Sequence, residues 1–271
     1  MFELKIEENL VKPESEQLKE KGLPQGRILM IKKIMESISD MVEDCELKVS
    51  EKGISIQIMD SMHVALADIF LSKNLFDSYR CDRSLVLGLK TNEFVKVLRN
   101  IKTVGTFMLY CGDDATNLGV VNEAEGYTLS FDLKLFNFEI DIYSFPELEY
   151  CAEVEMKTSE FLLLPKIVGT FAEFIVFDAT KDKISFYQKG EMTDANLTLT
   201  ASNPDGIKIN VLEPITKELA MKYINYIGKV GTLSDTIKIC MGNEAPVFFD
   251  LALQDFGYIR YYIAPKMKED D

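Results

Sequence analysis

One histidine in 271 residues leaves little room for histidine chemistry. It is His63, in Met59-Asp60-Ser61-Met62-His63-Val64, and any Ser-His-Asp or Cys-His arrangement would have to run through it. The five cysteines, at 45, 81, 111, 151 and 240, lie far apart and form no Cys-x-x-Cys pair. That spacing argues against zinc and thioredoxin-like chemistry and predicts buried, reduced thiols. Gly-x-x-x-x-Gly-Lys and Gly-x-Gly-x-x-Gly are both missing, so no phosphate loop is present. No apolar run approaches the roughly 18 residues a membrane helix needs. The start, Met1-Phe2-Glu3-Leu4, has neither the basic nor the apolar region of a signal peptide, which predicts an intracellular protein. Asp60 and Asp113-Asp114 are the only handle for a metal-dependent nuclease, and no ligand spacing supports them. The residues predict no enzyme, no metal and no cofactor.

What is present is charge of one sign. The formal net charge is -14 and the pI about 4.7, which taken globally argues against nucleic-acid binding. The local picture is different. Four windows of helical pattern, 27–40, 91–102, 158–170 and 216–229, hold ten basic and five acidic residues, leaving 20 basic and 39 acidic elsewhere. Lys96 and Arg99 share a helix face opposite Phe94, Leu98 and Ile101. Lys222, Asn225 and Lys229 line up opposite Leu219, Tyr223 and Ile227, and Lys32 and Lys33 fall on the outer side of the first helix. Side by side, such faces would suit phosphates without reading bases.

The chain reads as α+β. A strand at 1–6 is followed by a polar insertion, 7–25, and then a helix from Ile28. Strands are predicted at 46–50, 54–58 and 64–71, a helix from Thr91, and strands at 106–110, 118–122 and 127–135. After 136–150 the order repeats: a strand from Ala152, a helix after Thr158, four strands between 174 and 212, a helix from Thr216, and strands through 236–263. Three of the helices open alike, as Thr91-Asn92-Glu93, Thr158-Ser159-Glu160 and Thr216-Lys217-Glu218, with a cap residue and an acid in the first turn. The repeated order predicts an internal duplication: an N-terminal domain at 1–135, a connecting loop at 136–150 and a C-terminal domain at 151–271, each domain with two helices. The connecting stretch carries four carboxylates, Pro146 and a line of large apolar side chains.

Three stretches, Met59-Asp60-Ser61-Met62-His63-Val64, Phe76-Asp77-Ser78-Tyr79-Arg80-Cys81-Asp82-Arg83 and Tyr261-Tyr262-Ile263-Ala264-Pro265-Lys266, resemble the eukaryotic sliding-clamp family, proliferating cell nuclear antigen. The resemblance covers nearly the whole chain from about Arg27, plus the first strand; the insertion has no counterpart. It implies a nuclear homotrimeric ring of six similar domains, with helices lining a hole for duplex DNA. Such a processivity factor tethers polymerase in DNA replication, mismatch repair and translesion synthesis. The same architecture serves subunits of a heterotrimeric checkpoint clamp, but the intact Tyr-Arg-Cys-Asp-Arg and Ala-Pro-Lys favour the replication clamp.

The positions matching DNA contacts are Lys32, Lys33, Arg80, Arg83, Lys90, Lys96, Arg99, Lys166, Lys222 and Lys229. In the third helix Leu163 replaces a usual basic residue and Pro165 interrupts the pattern. Ring closure would pair a strand near 115–123 with one near 192–200 of the next subunit. Clamp loader, polymerase, flap endonuclease, ligase and other partners with a Gln-x-x-aliphatic-x-x-aromatic-aromatic motif would dock beneath 136–150. Their matching pocket is Met59, His63, Val64, Leu66, Tyr143, Phe145, Pro146, Pro246, Tyr262, Ala264, Pro265 and Met267. Lys181, in Thr180-Lys181-Asp182-Lys183, matches the lysine the family modifies with ubiquitin or its relatives.

Overall fold

The computed structural model describes residues 1–8, 26–138, 143, 148–169, 173–190, 192–201 and 206–266. The insertion core at 9–25, most of the connecting stretch including Phe145 and Pro146, and Met267 lie outside them.

The first half runs β1 (Phe2–Glu8), α1 (Arg27–Met41), β2 (Asp44–Ser50), β3 (Gly53–Met59), β4 (Ala65–Ser72), β5 (Ser78–Cys81), β6 (Leu85–Lys90), α2 (Thr91–Asn100), β7 (Gly105–Cys111), β8 (Asn117–Ala124) and β9 (Tyr127–Lys134). The second runs β10 (Ala152–Lys157), the short helices α3 (Thr158–Phe161) and α4 (Leu163–Ile167), β11 (Phe174–Ala179), β12 (Lys183–Lys189), β13 (Asp194–Thr200), β14 (Lys208–Val211), β15 (Ile215–Ala220), α5 (Met221–Gly231), β16 (Thr236–Met241), β17 (Val247–Ala252) and β18 (Gly257–Ile263). Strand orders repeat with an offset of nine. β5-β1-β7-β8-β9 matches β14-β10-β16-β17-β18, and β4-β3-β2-β6 matches β13-β12-β11-β15. A backbone bond repeats too: Thr91 N–H donates to Glu43 O as α2 begins, and Met221 N–H to Glu173 O as α5 begins.

The chain divides into two compact units, Met1–Met59 with Ala67–Tyr143 and Leu253–Ile259, and Asp60–Leu66 with Ser144–Ala252 and Arg260–Asp271. In the first, Leu4, Ile31, Ile34, Leu47, Ile56, Phe94 and Leu109 share one core, which places the apolar sides of α1 and α2 against the strands. Alternation does the sorting: in β1, Phe2, Leu4 and Ile6 point in, while Glu3, Lys5 and Glu7 point out. In the second unit, Phe177 meets Phe186 and Phe249 edge to face, with ring centroids 4.9 and 6.0 Å apart. Fully burying each such ring contributes about 1.5–3 kcal/mol.

Four expectations from the sequence are corrected by the fold. Residues 215–220 form a strand, and the last helix starts at Met221, because the chain passes from strand to helix without a turn to mark the change. Thr91 does not cap its helix: its hydroxyl donates to Val42 O (2.7 Å) and Glu43 O (3.0 Å). The strand near 115–123 is β8, which is interior, paired on one side with β7 and on the other with β9; the outer strand of that sheet is β9. Two thiols, Cys81 and Cys151, are half-buried; Cys45, Cys111 and Cys240 are buried, and burial pushes Cys45 and Cys240 up to about 12. Pro165 acts as its chemistry requires. It has no N–H for the Phe161 carbonyl, and the third helix is split at Leu162.

Candidate nucleic-acid and partner-binding surfaces

The helices are the basic part of an acidic chain. Among the described residues they carry Arg27, Lys32, Lys33, Lys96, Arg99, Lys166, Lys222 and Lys229 against Glu36, Asp40, Glu93 and Glu160. Two bases grouped with them in the sequence lie elsewhere. Lys217 is on β15 and donates to Asn243 O at 2.7 Å, and Lys102 follows α2 and stands 4.3 Å over the Tyr127 ring.

In the first unit, Lys96 and Arg99 are the most open, with side chains 65% and 68% exposed. Lys96 pairs with Glu93 at 2.7 Å, and Arg99 approaches Glu36 of α1 at 3.5 Å. Exposed pairs of this kind exchange readily for phosphate, since each contributes little. Lys32 is engaged differently: its ammonium donates to the Ile101 carbonyl at the end of α2. Burial holds Lys32 and Lys33 below the ordinary lysine value, with Glu36 pushing the other way.

Arg80, Arg83 and Lys90 lie off the helices, Lys90 at the residue just before α2. Arg80 lies opposite Glu3 in register, on the side of the sheet away from the core the helices cover, and forks onto Asp82 at 2.8 and 2.9 Å. Arg83 donates to the Asp113 carbonyl. Lys90 pairs with Asp44 at 2.7 Å and stands 5.4 Å over the Phe138 ring.

In the second unit Lys166, Lys222 and Lys229 are exposed. Around Lys166 the open surface is apolar, with Leu163 at 37% and Ile167 at 42% exposure. Lys222 stands 4.5 Å over the Tyr223 ring, donates to the Met62 sulfur at 3.2 Å and lies 4.0 Å from Asp60.

Asp60 organises the turn that precedes β4. Its Oδ1 accepts from the Val64 and Ala65 N–H groups at 2.8 Å each, and its Oδ2 from the Tyr223 hydroxyl at 2.7 Å. Burial alone would raise its pKa, but these donors and the Met62 N–H outweigh it and hold the carboxyl below the usual range. The Tyr223 phenol is pushed up, by burial first and the carboxylate second. His63 takes a left-handed φ of 56° in this turn and is exposed. Both oxygens of Asp60 thus accept from protein donors. Among the described residues no group of three or more His, Cys, Asp or Glu side chains could hold a metal ion.

Beside the turn is a hollow of about 570 Å³. It brings together Val64, Ala264 and Pro265, as expected from the sequence, with Met62, Phe174, Ala220, Met221 and Lys222, which the sequence did not assign to it. Ala220 and Met221 were hidden because the sequence placed them inside a helix, whereas they sit at the β15–α5 junction. Leu66 is 1% exposed, buried in β4 just after the turn. Tyr262 is half-buried and packs on Phe248 with centroids 4.8 Å apart. Pro246 is half-buried, and Met59 is half-buried at the end of β3. Lys181 is exposed at the β11–β12 hairpin.

The described ends of the connecting stretch are anchored. Phe136 N–H donates to Gly88 O at 3.0 Å, and Phe138 stacks on Phe136. A Cβ at Gly88 would run into the Phe136 carbonyl and come within 2.8 Å of the Phe138 ring, so only glycine admits the chain there. Farther on, the Gln57 carboxamide meets the backbone of Tyr143 twice, at 2.9 Å.

Comparison with known proteins matches both halves of the chain to one family. Residues 19–143 match the family model described as proliferating cell nuclear antigen, N-terminal domain, and residues 144–266 the corresponding C-terminal domain. A proliferating cell nuclear antigen of Chaetomium thermophilum is 32% identical over 259 residues, covering 93% of this chain and 99% of the relative. Proliferating cell nuclear antigen 2 of Drosophila melanogaster is 31% identical over 257 residues, covering 91% and 97%.

Proposed function

Because the chain belongs to the proliferating cell nuclear antigen family, with both family domains matched along it, we propose that it is the subunit of a homotrimeric DNA sliding clamp acting in the nucleus. It is a processivity factor. It holds duplex DNA without sequence preference and tethers replication and repair proteins, and it has no catalytic role of its own.

The observation that supports this most is the segregation of charge. Among the described residues eight basic side chains lie on the α-helices, in a duplicated fold whose formal net charge is -14. The exposed helical bases Lys96, Arg99, Lys166, Lys222 and Lys229, with half-buried Lys32 and Lys33, are the proposed phosphate contacts. Encirclement makes retention topological, so single contacts can be weak, mobile and salt-sensitive. Arg80, Arg83 and Lys90 lie off the helices and are engaged by Asp82, the Asp113 carbonyl and Asp44, so they are given a lesser part in the proposal.

Ring closure would join β9 of one copy to β13 of the next. β9 is an end strand of its sheet, and so is β13, which pairs with β12. Such head-to-tail pairing joins two different surfaces, closes by rotation and covers both edges. Partners with the Gln-x-x-aliphatic-x-x-aromatic-aromatic motif would dock at the turn around His63, the hollow beside it and the connecting stretch from 136 to 150. Static light scattering tests the assembly: a homotrimer has a mass of about 92 kDa, three times 30.8, and a persistent monomer would refute it.

A further inference from the structure

Gln57 is on β3, where Ile54, Ile56 and Ile58 point into the core and Ser55, Gln57 and Met59 point the other way. Its carboxamide addresses a single residue far along the chain. Oε1 accepts from the Tyr143 N–H and Nε2 donates to the Tyr143 carbonyl, both at 2.9 Å. This is the exchange that two paired residues make in an antiparallel ladder, with a side chain standing in for one strand. Only a neutral group with one donor and one acceptor at that spacing can do it.

We propose that Gln57 is a positioning residue for partner recognition, fixing the backbone of the connecting stretch at Tyr143. The inference rests on the reading that this stretch docks partner peptides. The other anchor is close: Phe136 is tied to Gly88, and Lys90 stands 5.4 Å over Phe138. Four residues separate Phe138 from Tyr143. Holding the Tyr143 backbone in place before a peptide arrives lowers the ordering cost of binding. Nothing about Gln57 needs to touch the peptide.

The test is calorimetric titration of a Gln-x-x-Leu-x-x-Phe-Phe peptide into the full chain, with Gln57→Leu and Gln57→Glu compared to the unaltered protein. Gln57→Leu should weaken binding about tenfold, a change of about 1.4 kcal/mol. Hydrogen exchange at the Tyr143 amide should accelerate while the particle mass is unchanged. Gln57→Glu supplies a readout that a packing role would not move. At pH 8 its carboxylate faces the Tyr143 carbonyl and binding is weak. Near pH 4.5, close to the ordinary glutamate value of about 4.3, the protonated acid regains one donor and one acceptor, and its deficit relative to the unaltered protein should shrink. Unaltered protein that binds while Gln57→Leu stays within about twofold of it, or a Gln57→Glu deficit equal at both pH values, would overturn the inference alone. Failure of the unaltered protein to bind would overturn the docking reading and the inference with it.

Discussion

The Tyr223 hydroxyl donates a 2.7 Å hydrogen bond to Asp60 Oδ2, bolting the His63 turn to the first turn of α5. The same helix turn carries Lys222, 4.0 Å from that carboxylate. The turn proposed for partner docking and Lys222, a proposed phosphate contact, are therefore tied to one buried acid.

Tyr223→Phe leaves Asp60 short of a donor and should cost about 2 kcal/mol, within the range for hydrogen bonds to charged groups. The pH dependence has a definite sign. The folded Asp60 carboxyl is held below its ordinary value of about 3.9, so its contribution is complete above that pH and lost as pH falls through the lower folded value. Asp60→Asn should be less stable at neutral pH and lose less stability on acidification. Urea unfolding from pH 7 down to pH 3 checks both; parallel acid limbs for variant and parent would contradict the assignment.

Gly88→Ala puts a methyl group against the Phe136 carbonyl. The backbone there must shift, and a loss of about 1–3 kcal/mol is expected, as for other overpacked sites. Faster hydrogen exchange at the Phe136 amide, which now bonds Gly88 O, would locate the damage. Unchanged exchange would show that the chain can bypass Gly88.

Charge reversal at Lys96 and Arg99 should lower clamp-dependent processivity while leaving the particle mass intact. Binding of duplex should also become less salt-dependent, by a log–log slope of roughly 0.9 for each phosphate no longer neutralised. The same reversal at Arg80 and Arg83 should matter much less. Equal losses from the two pairs would refute the separation of Arg80 and Arg83 from the helical bases.

The Glu8 carboxylate accepts from the backbone N–H groups of Arg27 and Ile28, so the two ends of the 9–25 segment are held together. A carboxylate at the start of α1 also complements the helix dipole. Replacing 9–25 with a short Gly-Ser turn should change the melting temperature by only a few degrees, because loop closure depends weakly on length. Loss of cooperative melting would assign the insertion a structural role.

Alternation and the 3.6-residue period made most strands and the first two helices legible in the sequence. Phe2, Leu4 and Ile6, or Ile31, Ile34 and Ile38, leave little choice of face. The segment 215–220 was not legible, since Thr216-Lys217-Glu218 reads as a helix start whether or not a strand continues through it. β5 and β6 were missed because they are short and lead to α2 without a loop between β6 and the helix. At the surface, residue type located the helical bases, but engagement could not be read: Lys32 on Ile101 O and Arg80 on Asp82 depend on contacts between segments distant in sequence or on strand facing. The Gln57–Tyr143 clamp left no signal, since one glutamine in a strand is unremarkable until position 143 is brought to it.

The central claim is encirclement, and retention on DNA of defined topology tests it most directly. The protein, loaded with its clamp loader onto nicked circular duplex, should stay bound through a salt wash and leave when a restriction enzyme linearises the circle. Release that is equally fast from circle and linear duplex would contradict the account.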